Sequence, residues 1–236
     1  MYREPRLCDC KAVLFDVDGT LVDSMAKIVM GLGDAIEHFA GKRPPDKEIQ
    51  SLVGLPLSAQ FKRYLPFEPS REQMDEMITY TIGRYDHHKH LERPFEPAIE
   101  TLRLCQQAGL KTALVTSKNT AEMEIFLRGF VGKPYVDAYV CASDVPQPKP
   151  KPDSAIRACE LLQVEPGDAC FVGDSIFDMQ CAHAAGNTPV AVAYGSVPAA
   201  TLEKENPALI LETPEALLEW AQRTLFQTTC PDKPKN

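Results

Sequence analysis

Apolar residues run unbroken from Ala12 to Phe15, and the run ends in Asp16-Val17-Asp18-Gly19. A short apolar run bounded by turn formers predicts a strand buried on both faces. From about residue 93 such runs alternate with amphipathic stretches. The spacing predicts a helix over 98–108 closed by Gly109, then a strand over 111–115. Asn119 is placed to cap a helix running to about Phe130. A short strand over 138–141 and a helix from Pro152-Asp153 to about Leu162 follow. Next come a strand over 168–172, a helix over 175–185 stopped by Gly186, and strands over 188–193 and 208–211. Thr213 as cap and Pro214 in the first turn open a last helix through Leu225. Strand and helix in turn imply an α/β fold with a doubly wound parallel sheet.

Residues 22–92 follow a different pattern. They carry helical periodicity, over 24–39 and 71–88, and no strand pattern. Pro44-Pro45 and residues 66–70 interrupt it. The expected organisation is a core from residues 1–21 and 93–226, an all-helical cap domain inserted over 22–92, and a polar, frayed tail over 227–236.

Composition narrows the class. The 236 residues are 44% hydrophobic and 25% charged, suiting one large domain or two small ones. No apolar run approaches the roughly 20 residues of a membrane helix, and the N-terminal residues lack the apolar core of a signal peptide. A cytoplasmic location, with no membrane partner, is expected. The net charge of −8 speaks against nucleic acid, so a small anionic ligand would need local cations. The eight cysteines do not form a disulfide framework. Cys105, Cys141, Cys159, Cys170 and Cys181 sit in apolar segments as small core residues. Cys8 and Cys10 could ligate a metal, but no second pair stands at zinc-site spacing.

Ligands of open α/β sheets bind at the carboxyl ends of the strands. There the sequence places Asp16, Asp18 and Thr20, then Thr116 and Ser117, then Lys149, then Gly173, Asp174, Ser175 and Asp178. Singly, each has an ordinary explanation: a turn former before Gly19, a helix cap, an exposed proline-rich loop in PQPKPKPD, another cap in VGDS. Together, acids, hydroxyls and a lysine converge on one sheet edge. Carboxylates without His or Cys nearby suit Mg²⁺. A lysine and hydroxyls beside a metal can cradle phosphate, and a carboxylate can act as a nucleophile.

In order, FDVDGTLVDS, LVTSK, PKPKPD and VGDSIFD resemble the four motifs of the haloacid dehalogenase-like superfamily, over about residues 11–195. That family is mostly phosphatases with a Rossmann-like core. The 22–92 segment resembles the α-helical cap of its phosphoglycolate phosphatase and phosphoglucomutase-like branch. The resemblance implies that Asp16 attacks phosphorus and that Asp18 protonates the leaving oxygen and then activates water. It gives Mg²⁺ to the Asp16 carboxylate, the Asp18 main-chain carbonyl and the Asp174 carboxylate. Thr116 and Lys149 would hold phosphoryl oxygens, with the N–H groups of Asp18 and Ser117. Asp178 would orient Lys149 or a metal-bound water. Thr20 suits the phosphatase pattern, while Lys151 falls on a variable position.

Dehalogenases lack the second acid, here Asp18. Phosphonatases use a cap lysine, and residues 52–60 contain none. Mutases of this branch carry a His where Ile28 stands. The expected activity is Mg²⁺-dependent hydrolysis of a small phosphomonoester of the phosphoglycolate type through an aspartyl-phosphate. Inorganic pyrophosphate or a sugar phosphate is the alternative substrate. Met25-Ala26-Lys27 departs from the Ala-Pro-Asp usual in phosphoglycolate phosphatases, and GRYDHHKH is similar to bacterial pyrophosphatases of the branch. His87, His88 and His90 would then meet a second phosphate, or simply stand at a helix C-terminus. Cap specificity is expected at Gly54, Leu55 and Pro56, alternatively around Arg84 and His88, on a lid that closes over the site. A phospho-accepting receiver domain places its acids in a different strand order, and a silent phosphate-binding protein would not need the complete motif set. The oligomeric state stays open between monomer and homodimer.

Overall fold

The computed structural model describes residues 4–225. The 227–236 tail lies outside the described residues. The strands are β1 (Ala12–Phe15), β2 (Val22–Asp23), β3 (Arg93–Pro94), β4 (Lys111–Val115), β5 (Ala138–Val140), β6 (Ala169–Gly173), β7 (Thr188–Val192) and β8 (Leu209–Leu211). Six of them form one parallel sheet in the order β5-β4-β1-β6-β7-β8. All four residues of β1 are buried, because helices cover both faces. Val13 and Phe15 pack with Leu102, Cys105, Leu217 and Trp220 on one side. Ala12 and Leu14 pack with Ala155, Ala158, Cys159 and Cys181 on the other. The chain fills the sheet outward on one side of β1, then crosses back to β6. That reversal places β1 at the switch point, where doubly wound sheets open a crevice at their carboxyl edge.

The helices of the insert are α1 (Met25–Ala40), α2 (Asp46–Gln50), α3 (Leu57–Lys62) and α4 (Arg71–His87). They enclose a separate apolar core of Leu32, Ile36, Ile49 and Phe61, each at most 1% exposed. The sequence pattern yields α1 and α4 but not the two short helices between them. The insert is also not purely helical: β2 pairs antiparallel with β3, Val22 opposite Pro94 and Asp23 opposite Arg93. The two joints thus run side by side, and two-residue strands are too short to leave an alternating pattern. The Phe95 N–H donates to the Leu21 carbonyl at 2.9 Å, tying the joints together again.

The remaining helices are α5 (Glu96–Gln107), α6 (Thr120–Gly129), α7 (Asp153–Leu162), α8 (Ile176–Ala185), α9 (Ala199–Leu202) and α10 (Pro214–Leu225). Asn119 and Ser175 form the capping boxes of α6 and α8, with Glu122 and Asp178 reaching back to the cap N–H groups. α5 starts two residues earlier than its periodicity suggests, because Pro97 fits a first helical turn.

Candidate active site

β1, β4 and β6 end side by side, and their next residues meet. Lys149 arrives from the loop before α7 and is only 2% exposed. Its ammonium donates to Asp16 Oδ1 at 2.8 Å, to Asp178 Oδ1 at 2.6 Å and to the Val115 carbonyl at 3.1 Å. A buried ammonium is tolerated only with such partners, so the proline-rich stretch is not an exposed loop at this residue. Lys151 is exposed. Asp178 spends its other oxygen on the Ser175 N–H and hydroxyl. Asp174 accepts from Thr20 Oγ1 at 3.1 Å on one oxygen and from the Ser196 N–H and hydroxyl on the other. Gly19, at φ +83°, brings the main chain so close to Asp174 that a Cβ there would sit 2.3 Å from Oδ2.

One oxygen from each of Asp16, Asp174 and Asp178 falls within 4.8 Å of the others, all three residues buried. Fully ionised, these three carboxylates would exceed the one ammonium by two negative charges. Burial pushes the Asp16 carboxyl well above the ordinary carboxylate range, and the Asp178 and Asp174 charges add to this while Lys149 opposes it. Burial and the Asp178 charge raise Asp174 to about 6. An all-oxygen donor set whose full ionisation would leave two uncompensated negative charges fits a hard divalent cation.

The Asp18 carboxylate stands apart from this cluster. It accepts from Lys118 Nζ at 2.5 Å on Oδ2 and from Ser24 Oγ at 2.7 Å on Oδ1. Burial would raise its pKa, but the Lys118 and Lys27 charges and these two hydrogen bonds outweigh that and hold it at about 2. Asp16 and Asp18 therefore border one cavity but occupy different electrostatic settings. Lys118, Ser24 and Ser196 carry no role in the sequence reading. Lys118 does stand two residues beyond Thr116, in LVTSK, and that proximity is its one signal.

A cavity of about 40 Å³ lies between Asp16, Asp18, Asp174, Lys118 and the helical insert, room for roughly three waters. Gly54, Leu55, Gln60 and Tyr85 of the insert line it; Pro56 does not, and lines a groove on the outer side. The insert touches the core through Ser117, whose hydroxyl donates to the Gly54 carbonyl at 2.5 Å. Thr116, 1% exposed, accepts from the Lys118 N–H at 3.2 Å. Beyond a wall made by Tyr85, Lys118 and Glu122, a second cavity of about 530 Å³ includes Lys27, Lys89 and Phe126 in its lining. Lys27 is 8% exposed, ion-paired with Glu92, and lies 5.7 Å from the Tyr85 ring centre.

Two alternatives left open by the sequence find their partners here. His88 lines neither cavity; its Nε2 pairs with Asp34 Oδ2 at 2.9 Å, on the carboxylate that also binds Arg84. That network joins α1 to α4, while His87 and His90 are exposed. Cys10 meets Cys170 rather than a metal.

A doubly wound sheet with paired acids, a buried lysine and hydroxyls at its switch point is suited to holding a phosphoryl group beside a cation. The haloacid dehalogenase-like hydrolase family model matches residues 13–192. The chain is 32% identical over 209 residues to a protein named as a pyrophosphatase PpaX from Caldanaerobacter subterraneus, covering 88% of this chain and 93% of that one. Pyrophosphatase PpaX from Bacillus velezensis is 31% identical over 210 residues, covering 88% and 94%. Among solved structures, a hydrolase from Pseudomonas syringae superposes with a TM-score of 0.79 at 24% identity, covering 91% and 98%. A predicted phosphoglycolate phosphatase from Haemophilus somnus superposes at 0.76 with 23% identity, covering 89% and 97%. The chain belongs to the haloacid dehalogenase-like hydrolase family. It is an enzyme, a phosphatase of that family. Among the described residues, no helix is long and apolar enough to cross a membrane.

Proposed function

We propose that the chain is a Mg²⁺-dependent phosphohydrolase acting on a small metabolite whose leaving group itself carries negative charge. Asp16 is the nucleophile: Lys149 occupies its Oδ1 and leaves Oδ2 to attack phosphorus. The scissile P–O bond breaks as the aspartyl-phosphate forms; Asp18, ionised in the free site, takes up a proton when the substrate anion draws Lys118 away and passes it to the departing oxygen. Asp18, again a carboxylate, then takes a proton from the water that cleaves the acyl-phosphate. Asp16, Asp174 and the Asp18 carbonyl would hold the Mg²⁺, which when bound would supply charge neutralisation for the phosphoryl oxygens. Thr116, Lys149 and the N–H groups of Asp18 and Ser117 bind the transferred phosphoryl oxygens. Asp178 orients Lys149. Gly54 and Leu55 close the cavity from the insert.

The observation that carries the substrate reading is the pair Lys118 and Lys27. Lys118 is buried beside Asp18, and Lys27 lines the adjoining cavity. Cations there match a leaving group with its own anion, as in phosphoglycolate or pyrophosphate, better than a neutral sugar. The relatives named pyrophosphatase PpaX favour pyrophosphate between the two. The experiment is a comparison of kcat/KM for pyrophosphate, phosphoglycolate, glucose 6-phosphate and para-nitrophenyl phosphate with Mg²⁺. The proposal expects the first two to lead; a lead by the sugar phosphate refutes it.

A further inference from the structure

At the opposite edge of the sheet from the active site, Cys10 Sγ lies 2.9 Å from Cys170 Sγ, across 160 residues of sequence. Cys170 is the second residue of β6, fully buried, and pairs with Val13 of β1. Cys10 follows the single turn Leu7–Asp9 and is partly exposed. Its thiol donates to the Arg6 carbonyl at 3.7 Å, which leaves Cys170 as the donor between the two sulfurs. A disulfide requires the sulfurs to close to roughly 2.05 Å, a small movement for a residue on a short turn.

We propose that Cys10 and Cys170 are a redox-modification site, converted by hydroperoxide to a disulfide that ties the N-terminal segment to the central sheet. The partly exposed Cys10 thiolate attacks the peroxide oxygen. The O–O bond breaks, hydroxide leaves, and Cys10 becomes a sulfenic acid. The Cys170 sulfur then attacks Cys10 Sγ and displaces the second hydroxide. The two thiol protons and two hydroxides become two waters. The two sulfurs together give up two electrons, and the peroxide is reduced.

The surroundings fit these roles. The hydrogen bond from Cys170 lowers the Cys10 thiol despite burial and the nearby Asp9 and Asp168, and the same bond together with burial raises Cys170. Cys141 and Cys181, pushed up to about 12 by burial, are poor competitors. The bond would form at the amino ends of the strands whose carboxyl ends carry Asp16 and Asp174. It would leave those residues in place and act on stability. Cysteine pairs of this kind in reducing compartments are usually transient sensors.

The test treats the reduced full-length enzyme with hydrogen peroxide, counts thiols after denaturation and maps disulfide-linked peptides. Two of the eight thiols should disappear, a peptide joining Cys10 to Cys170 should appear, and dithiothreitol should reverse both. The oxidised enzyme should melt roughly 5–10 °C higher, and Cys10→Ser should lose none of its thiols to a disulfide. Eight surviving thiols, or a bridge from Cys10 to Cys8 or Cys105, would overturn the proposal. The wild-type peptide map decides the matter even if Cys170→Ser does not fold.

Discussion

Lys118, at the end of β4, reaches Asp18, beyond the end of β1, and holds one oxygen of its carboxylate at 2.5 Å while Ser24 holds the other. Both charges are largely out of water, with side chains 7% and 17% exposed. The proposed acid–base residue is thus held ionised on the wall of the smaller cavity by a lysine that also lines the larger one. A substrate anion arriving there would compete for Lys118 and release Asp18.

Lys118→Met should therefore separate substrates. A charge-assisted hydrogen bond contributes roughly 1.5–3 kcal/mol, so kcat/KM for pyrophosphate or phosphoglycolate should fall roughly 10–100-fold. Para-nitrophenyl phosphate, with a neutral leaving-group ring, should lose much less. Steady-state kinetics on the variant check this; equal losses on all substrates would assign Lys118 to holding Asp18 alone.

Asp16→Asn should remove turnover by several orders of magnitude while the melting temperature stays within a few degrees. A carboxamide is not a competent nucleophile, yet its oxygen can still accept from Lys149. Radiolabelled phosphate trapped on wild-type protein by acid quench, and absent from the variant, would locate the covalent step. Substantial turnover in Asp16→Asn would refute the assignment.

The sheet was readable because its strands are buried on both faces and so consist of apolar runs that end abruptly in polar residues, as at Phe15-Asp16 and Gly173-Asp174. Lys149 was readable from its motif, though its proline-rich surroundings suggest exposure. Lys118 was not, because nothing local in LVTSK says that β4 lies beside β1. His88 stayed open between a phosphate contact and a helix C-terminus for the same reason: its partner Asp34 lies 54 residues away on another helix. Long-range pairing decides what a polar side chain faces, and local periodicity does not carry it. The short β2 and β3 leave no pattern at all.

Metal removal should expose the charge excess at the site, with a defined pH sign. Asp174 is raised from 3.8 to about 6 in the folded chain, and Asp16 is raised in the same direction. Their contribution thus favours the folded state below the ordinary carboxylate range and is lost as pH rises through about 6. Mg²⁺ needs the deprotonated forms. Its stabilisation should be small at about pH 5 and large at about pH 7.5. Melting curves of EDTA-treated enzyme with and without Mg²⁺ measure this. A Mg²⁺ shift of equal size at both pH values would count against these carboxylates as the ligands.

The last prediction concerns the contact between insert and core. Ser117 Oγ donates to the Gly54 carbonyl at 2.5 Å, and Gly54 sits at φ +102°, with Phe177 3.0 Å and Ser175 3.3 Å from where a Cβ would be. The cavity beside Asp16 and Asp18 has a volume of only about 40 Å³, so a lid motion of the insert is expected to widen it for substrate. Such a motion would break this hydrogen bond, with bending expected near the paired joints β2 and β3. Ser117→Ala removes a contact contributing roughly 1 kcal/mol, shifting the open and closed populations about fivefold toward open. It should raise KM and quicken product release, with little effect on melting temperature. Gly54→Ala should act more strongly in the same direction, because alanine is strained at positive φ and its Cβ crowds Phe177. Leu55, on the cavity wall, should instead control selectivity. Leu55→Arg should change the ratio of kcat/KM between a large phosphate ester and para-nitrophenyl phosphate, whereas Ser117→Ala should leave that ratio nearly unchanged. Stopped-flow traces separating the burst from steady-state release, run on all three variants, distinguish gating from selection. If Leu55→Arg lowered every substrate alike, the 54–56 loop would be acting as a hinge support, and selectivity would have to lie with Lys27 and Lys118.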